Sequence, residues 1–154
     1  MTHDKNLRFS IETISIYYKN SQDIIIIGSF NDPNGPRRAC GTPIILNQNV
    51  TAKDIGNALK NMYYSCLNFN KTDIECDDPY KKIPGFKNWK QFALKHQYLA
   101  IAWYKNGKIE IEKWEWAPEG GFSPPKTQLQ SIGVNADDPD DVIGEAVLSL
   151  IQEE

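Results

Sequence analysis

The chain has little of what catalytic and metal sites are usually built from. Its 154 residues include two histidines, His3 and His96, and three cysteines, Cys40, Cys66 and Cys76. No Cys-x-x-Cys pair occurs, and bridging any two cysteines leaves one over. That pattern predicts reduced thiols in a cytosolic protein rather than a disulfide framework. No His-Glu-x-x-His segment, Cys/His cluster, Gly-x-Ser-x-Gly elbow or phosphate-cradling glycine loop is present, so neither a metal nor another cofactor is expected. Long apolar runs are missing too. The longest aliphatic stretch, Ile24 to Ile27, is far short of a membrane span, and residues 1–6 lack the apolar core of a secretory signal, which predicts a cytoplasmic protein. A basic excess is also missing. The net charge of −3 argues against nucleic acid as a partner and suits a basic protein.

What is present is an ordinary globular composition, with 40% hydrophobic and 24% charged residues, which together with the length predicts one domain over residues 1–154. A repeat sets its plan. Ser15-Ile16-Tyr17-Tyr18-Lys19-Asn20 lines up with Ile101-Ala102-Trp103-Tyr104-Lys105-Asn106, and Ile55-Gly56-Asn57-Ala58-Leu59 with Ile143-Gly144-Glu145-Ala146-Val147, while Asn34-Gly35 falls near Glu119-Gly120. An internal repeat outranks local signals because it states how the fold is assembled.

Residues 9–19 and 24–30 are rich in β-branched and aromatic residues and read as a hairpin, with the isoleucine run marking a strand covered on both faces. A loop over 31–36 and a short strand over 42–47 follow. Thr51, with Asp54 three residues on, is a capping signal for a helix over 52–67. Residues 68–87, with Pro79, Pro84 and Gly85 and no periodicity, read as a connector. Asn88 caps a short helix with Trp89, Phe92 and Ala93 on one face. A second hairpin spans 97–116 around Asn106-Gly107, a pair suited to a type I′ turn. After a Pro/Gly loop over 117–126 comes a strand over 128–134. A last helix is capped by Asp138, has Pro139 at its first position, and turns Val142, Ile143, Ala146, Val147 and Leu150 inward. The expected fold is α+β: an antiparallel sheet built from two related β-β-loop-β-α halves, about 8–67 and 88–152, with the helices packed on it. Gly56 and Gly144 each cost about 1 kcal/mol relative to alanine in mid-helix. Their recurrence predicts close approach of helix to sheet or of helix to helix.

Cys66 or Cys40 with His96 could form a thiol dyad, which spacing neither supports nor excludes; buried structural cysteine is the commoner case. Two acidic clusters stand out: Asp73, Glu75, Asp77 and Asp78 in the connector, and Asp137, Asp138, Asp140 and Asp141 around Pro139. Neither follows a calcium-loop pattern, and helix capping and the helix dipole account for part of the second. The most informative strand is Ile109-Glu110-Ile111-Glu112-Lys113-Trp114-Glu115-Trp116. Strict alternation puts Glu110, Glu112, Trp114 and Trp116 on one face, a combination that suits a basic protein partner. A β-bulge near Lys113 would return both tryptophans to the isoleucine face. The bulge or partial burial is the expectation, since adjacent exposed tryptophans are a liability. Trp103 on the neighbouring strand could pack with them in either case.

In its second half, Trp89-Lys90-Gln91-Phe92, the 98–116 hairpin, the loop Ala117-Pro118-Glu119-Gly120-Gly121-Phe122-Ser123-Pro124-Pro125 and the helix segment Ile143-Gly144-Glu145-Ala146-Val147-Leu148 follow in an order that resembles the immunity proteins of bacterial contact-dependent growth inhibition systems. The resemblance covers roughly the last 70 residues and rests on apolar and glycine positions. It implies a non-enzymatic cytoplasmic protein that binds and neutralises the C-terminal domain of a cognate toxin, often a nuclease. No binding residue carries over from the family. On local chemistry the toxin-binding candidates are Asp73, Glu75, Asp77, Asp78, Glu110, Glu112, Trp114, Trp116, Glu119, Asp137, Asp140 and Asp141, and the surface is expected to hold a contiguous acidic patch. A small cysteine-dependent enzyme and a non-toxin adaptor or scaffold are the alternatives.

Overall fold

The computed structural model describes residues 11–30, 38–39, 42–68 and 79–151. Strands β1 (Ile11–Asn20) and β2 (Asp23–Phe30) form the first hairpin, and β3 (Arg38–Ala39) and β4 (Ile44–Asn47) share the outer edge of β2. Helix α1 (Ala52–Asn68) follows, then a 3₁₀ turn (Pro79–Lys82) and α2 (Trp89–Leu94). Strands β5 (Gln97–Tyr104) and β6 (Lys108–Trp116) form the second hairpin. Strands β7 (Phe122–Ser123) and β8 (Gln130–Asn135) share the outer edge of β6, and α3 (Asp140–Ile151) closes the chain. The strands run antiparallel throughout one sheet, with β1 and β5 adjacent at its centre. Each half therefore has the same connectivity, and Ile14↔Ile101 and Ile16↔Leu99 pair across the middle.

The repeated Tyr-Lys-Asn has a local task. Asn20 Oδ1 accepts from the Gln22 N–H at 2.7 Å and Asn106 Oδ1 from the Lys108 N–H at 3.0 Å, so each asparagine closes its hairpin with an Asx turn. The second turn is not type I′. Only Gly107 of the Asn-Gly pair has positive φ (91°), and its N–H reaches the Tyr104 carbonyl at 3.0 Å. This three-residue connection needs left-handed backbone once, at the glycine.

Alternation divides the sheet into two cores. Ile14, Ile16, Ile24, Ile26, Leu99, Ile101, Ile109 and Ile111 are fully buried under α1 and α3. Thr51 caps α1 reciprocally with Asp54: the Asp54 N–H donates to Thr51 Oγ1 and the Thr51 N–H to Asp54 Oδ2, both at 3.1 Å. The glycines lie where the helices cross. A Cβ on Gly56 would stand 1.9 Å from the Asp140 carbonyl oxygen, and one on Gly144 would stand 1.7 Å from that of Ala52. Each glycine thus admits the carbonyl that lies one turn ahead of the partner's glycine. The close approach is helix to helix.

The second face is covered by part of what reads in sequence as a connector. Residues 79–87 supply buried Pro79 and Ile83, and α2, capped by Asn88, supplies Phe92 and Ala93. Tyr17 is the hub of this core. Its hydroxyl bonds Tyr80 Oη at 2.9 Å and accepts from Trp89 Nε1 at 3.3 Å, and its ring meets Phe92 and Tyr98 at 4.9 and 5.2 Å. Burial, then Tyr80, raises its pKa far above the ordinary phenol value.

Two expectations for α3 are corrected. The helical bonds begin at the Pro139 carbonyl, while Asp138 Oδ2 accepts from the Asn135 N–H at 2.9 Å, so Asp138 closes the preceding turn instead of capping the helix. Val142 points outward, 42% exposed, because helical spacing places it on the side of α3 opposite Gly144, outside the stripe of Ile143, Gly144, Ala146, Val147, Leu150 and Ile151. Among the described residues, no helix is long and apolar enough to cross a membrane. The 31–36 loop lies outside them.

Candidate functional site

The site is built on β6. Ile109 and Ile111 are fully buried on the helix side, so alternation sends Glu110, Glu112, Trp114 and Trp116 to the other face. Pairing is continuous with β5 from Tyr98↔Trp114 to Trp103↔Ile109 and with β8 from Lys108 to Lys113. No bulge interrupts β6 at Lys113, and the tryptophans stay beside the glutamates.

Their apolar area is covered from above. Trp114 lies 5.7 Å from Tyr98, and Trp116 lies 5.8 Å from Trp89 and 5.4 Å from Phe122, leaving both indoles half-buried. Phe122 in turn stacks on Tyr98 at 4.7 Å. The loop strand β7 therefore lays an aromatic over β5 and β6, which removes the liability that motivated a bulge. Trp103 does not join this group. It occupies the alternate face of β5 and stacks on Tyr63 of α1 at 4.2 Å.

The carboxylates are oriented by neighbours. Trp114 Nε1 donates to Glu112 Oε1 at 2.9 Å; Tyr104 Oη donates to Glu110 Oε2 at 3.4 Å, and Lys108 Nζ lies 3.1 Å from Glu110 Oε1. Cross-strand partners of Glu112 and Glu110 are Ala100 and Ala102 on one side and Ser131 and Gly133 on the other. Between such small residues the two glutamates are half-exposed, next to exposed Ser131 and Gly133. Tyr98 Oη and Ser15 Oγ are 2.7 Å apart, and burial pushes the Tyr98 phenol up to about 12, keeping it protonated. Burial first, then the charge of Glu110, raises the Tyr104 pKa as well. The arrangement offers oriented acidic acceptors beside a rigid aromatic floor. That chemistry suits binding a cationic surface.

The other candidates lie elsewhere. Asp140 is 2.7 Å from Lys60 Nζ, which also donates to the Asp138 carbonyl at 3.0 Å, so its carboxylate ties α3 to α1. Its pKa is lowered, first by the hydrogen bond from Lys60. Asp141, in the first turn of α3, is exposed on the helix layer, across the sheet from Glu110 and Glu112; Asp137 and Glu119 are exposed in loops. Among the described acidic candidates, the sheet divides Glu110 and Glu112 from Asp140 and Asp141. Asp73, Glu75, Asp77 and Asp78 lie outside the described residues.

A Cys66–His96 dyad does not form. Cys66 packs with the helix-side core against Gly28, whereas His96 lies across the sheet, 4.3 Å from the Phe92 ring with Nδ1 2.6 Å from the Phe92 carbonyl oxygen. Cys40 and Cys76 fall outside the described residues, and no group of three or more His, Cys, Asp or Glu suited to a metal occurs among those described. Sequence reasoning missed Phe122, Tyr98 and Ser15 as parts of the face. The Tyr98 and Ser15 positions are legible from alternation once the β1–β5 pairing is known; no local signal marks Phe122.

No protein-family model matches the chain, and no curated protein matches it. Solved structures do. A Neisseria meningitidis protein of unknown function superposes with a TM-score of 0.66 at 15% identity, covering 93% of this chain and 94% of that one. A chain from the CdiA-CT/CdiI toxin and immunity complex of Yersinia pseudotuberculosis superposes with a TM-score of 0.63 at 15% identity, covering 92% and 95%. The likeness is one of fold.

Proposed function

We propose that this chain is an immunity protein of a contact-dependent growth inhibition system, binding and neutralising one cognate toxin domain, a nuclease, in the cytoplasm without catalysis of its own. The observation that carries the reading is the end-to-end fold likeness to a chain of a toxin and immunity complex. The resemblance of residues 89–148 to such immunity proteins supports it from the sequence side. The face around Glu110, Glu112 and Trp114 supports it in chemistry, since a nuclease groove that holds phosphates is basic and an acidic inhibitor gains association rate against it. Separation of Cys66 from His96 removes that pairing as a thiol dyad. The proposed contact set on this face is Glu110, Glu112 and the exposed edge of Trp114, with Glu119 beside it in the loop that carries Phe122.

Coexpression with the toxin domain encoded immediately upstream is the test. The expected outcome is a one-to-one complex and protection of the cell. Glu110→Gln with Glu112→Gln should slow association several-fold in low salt, with the difference shrinking as ionic strength rises. Absence of both complex and protection would sink the proposal.

A further inference from the structure

A concave site lies over the β2–β4 edge of the sheet, beside the 79–96 cap. It is a cavity of about 470 Å³, within the range of roughly 300–1,000 Å³ typical of small-molecule sites. Its floor is apolar: Ile25 and Ile45, directly paired across β2 and β4, together with Ile83, Phe86 and Phe92 of the cap. Its rim is charged. Lys19, Lys87 and Lys95 line it against a single carboxylate, Asp23, a local excess of two positive charges in a chain whose net charge is −3. Among the described residues no ion pair joins any of these three lysines to a carboxylate. His96 also lines the rim, but burial lowers its pKa, so the ring adds no charge near neutral pH.

The fold explains how such a site arises. β4 covers the β2 edge with four residues, and its Ile45 faces the cap side beside Ile25. The cap fills the middle of the sheet through Tyr17, leaving its rim over the β2–β4 edge open. An apolar floor excludes a fully polar anion, because burying it there would forfeit hydration without return hydrogen bonds. An unpaired cationic rim disfavours a cationic or purely apolar guest. We infer that this cavity binds an amphipathic monoanion, a carboxylate carried on an aliphatic or aryl body, with the body on the isoleucine and phenylalanine floor and the carboxylate at the Lys19/Lys95 rim. The inference stands apart from toxin binding and uses none of the residues assigned to it.

Octanoate is the probe, with octan-1-ol and octylammonium as charge controls, followed by amide chemical shifts of the labelled full chain. Octanoate should give saturable shifts confined to the cavity's lining residues, with at least about tenfold tighter binding than either control. Lys19→Glu with Lys95→Glu changes two exposed side chains, so far-UV circular dichroism should be unchanged while octanoate affinity falls by about tenfold or more. Equal affinity for octylammonium, shifts scattered over the surface, no saturable shift with millimolar octanoate, or binding indifferent to the double substitution would each overturn the assignment.

Discussion

Gly56→Ala and Gly144→Ala pit local helix preference against the tertiary crossing. In an isolated helix each substitution stabilises by about 1 kcal/mol. Here the new Cβ meets a backbone carbonyl at 1.9 or 1.7 Å, where real contacts keep 3.0 Å, so α1 and α3 must part by more than 1 Å. Backbone atoms cannot rotate away as a side-chain tip would. Parting the helices opens space beside Ile55, Leu59, Ile143 and Val147, which are fully buried. Overpacking of this kind costs about 1–3 kcal/mol and sometimes more, and a backbone clash belongs at the upper end. We expect a net loss of about 2 kcal/mol for each variant, or about 4–8 °C in Tm for a chain of this size. The double variant should lose clearly less than the sum, because one separation of the helices relieves both clashes. Urea titration followed by circular dichroism measures this, with exposed Glu145→Ala as a control expected within about 0.5 kcal/mol of the parent. A neutral or stabilised Gly56→Ala, or strict additivity in the double variant, would refute the crossing as described.

Tyr17→Phe removes the hydroxyl that joins Tyr80 and Trp89, at a cost of about 1 kcal/mol. Amide exchange in residues 79–94 should accelerate while α1 is unaffected, and uniform acceleration would contradict a cap held locally by Tyr17. His96 gives a pH signature. Burial is the main cause of its lowered pKa, so below the ordinary value of 6.5 the unfolded chain takes up the proton first. Stability should therefore fall as the pH drops from 6.5 to the depressed folded value and then level off, and His96→Gln should abolish that step in a series of urea midpoints. Persistence of the step in the variant would assign it to another group.

Much of the frame is legible in the residues themselves. Capping at Thr51 and Asn88, the repeated hairpins, and the alternation of β6 depend on interactions within a few positions, which sequence spacing reports directly. The same locality makes the paired glycines readable as a close approach, although what approaches is a helix more than 80 residues away in the chain. Two readings failed on local geometry, the Asn106-Gly107 turn type and the Asp138 cap, and others fell short where a distant element supplied the partner. The tryptophans of β6 are partly buried, as expected, but without a bulge, because Tyr98 lies beside Trp114 and Phe122 and Trp89 beside Trp116. Asp140 is committed to Lys60, and the 79–87 part of the connector adds Pro79 and Ile83 to the buried residues on the face where Tyr17 stands.

By itself, then, the sequence determines which residues share a strand face and, at Thr51 and Asn88, where a helix begins, since those follow from backbone periodicity and short-range hydrogen bonding. Only the tertiary structure decides what covers each face. The described acidic candidates divide between the two sides of the sheet, and Lys19 meets the distant Lys87 and Lys95 around an isoleucine floor. Burial and charge environment depend on long-range packing, which local spacing does not encode.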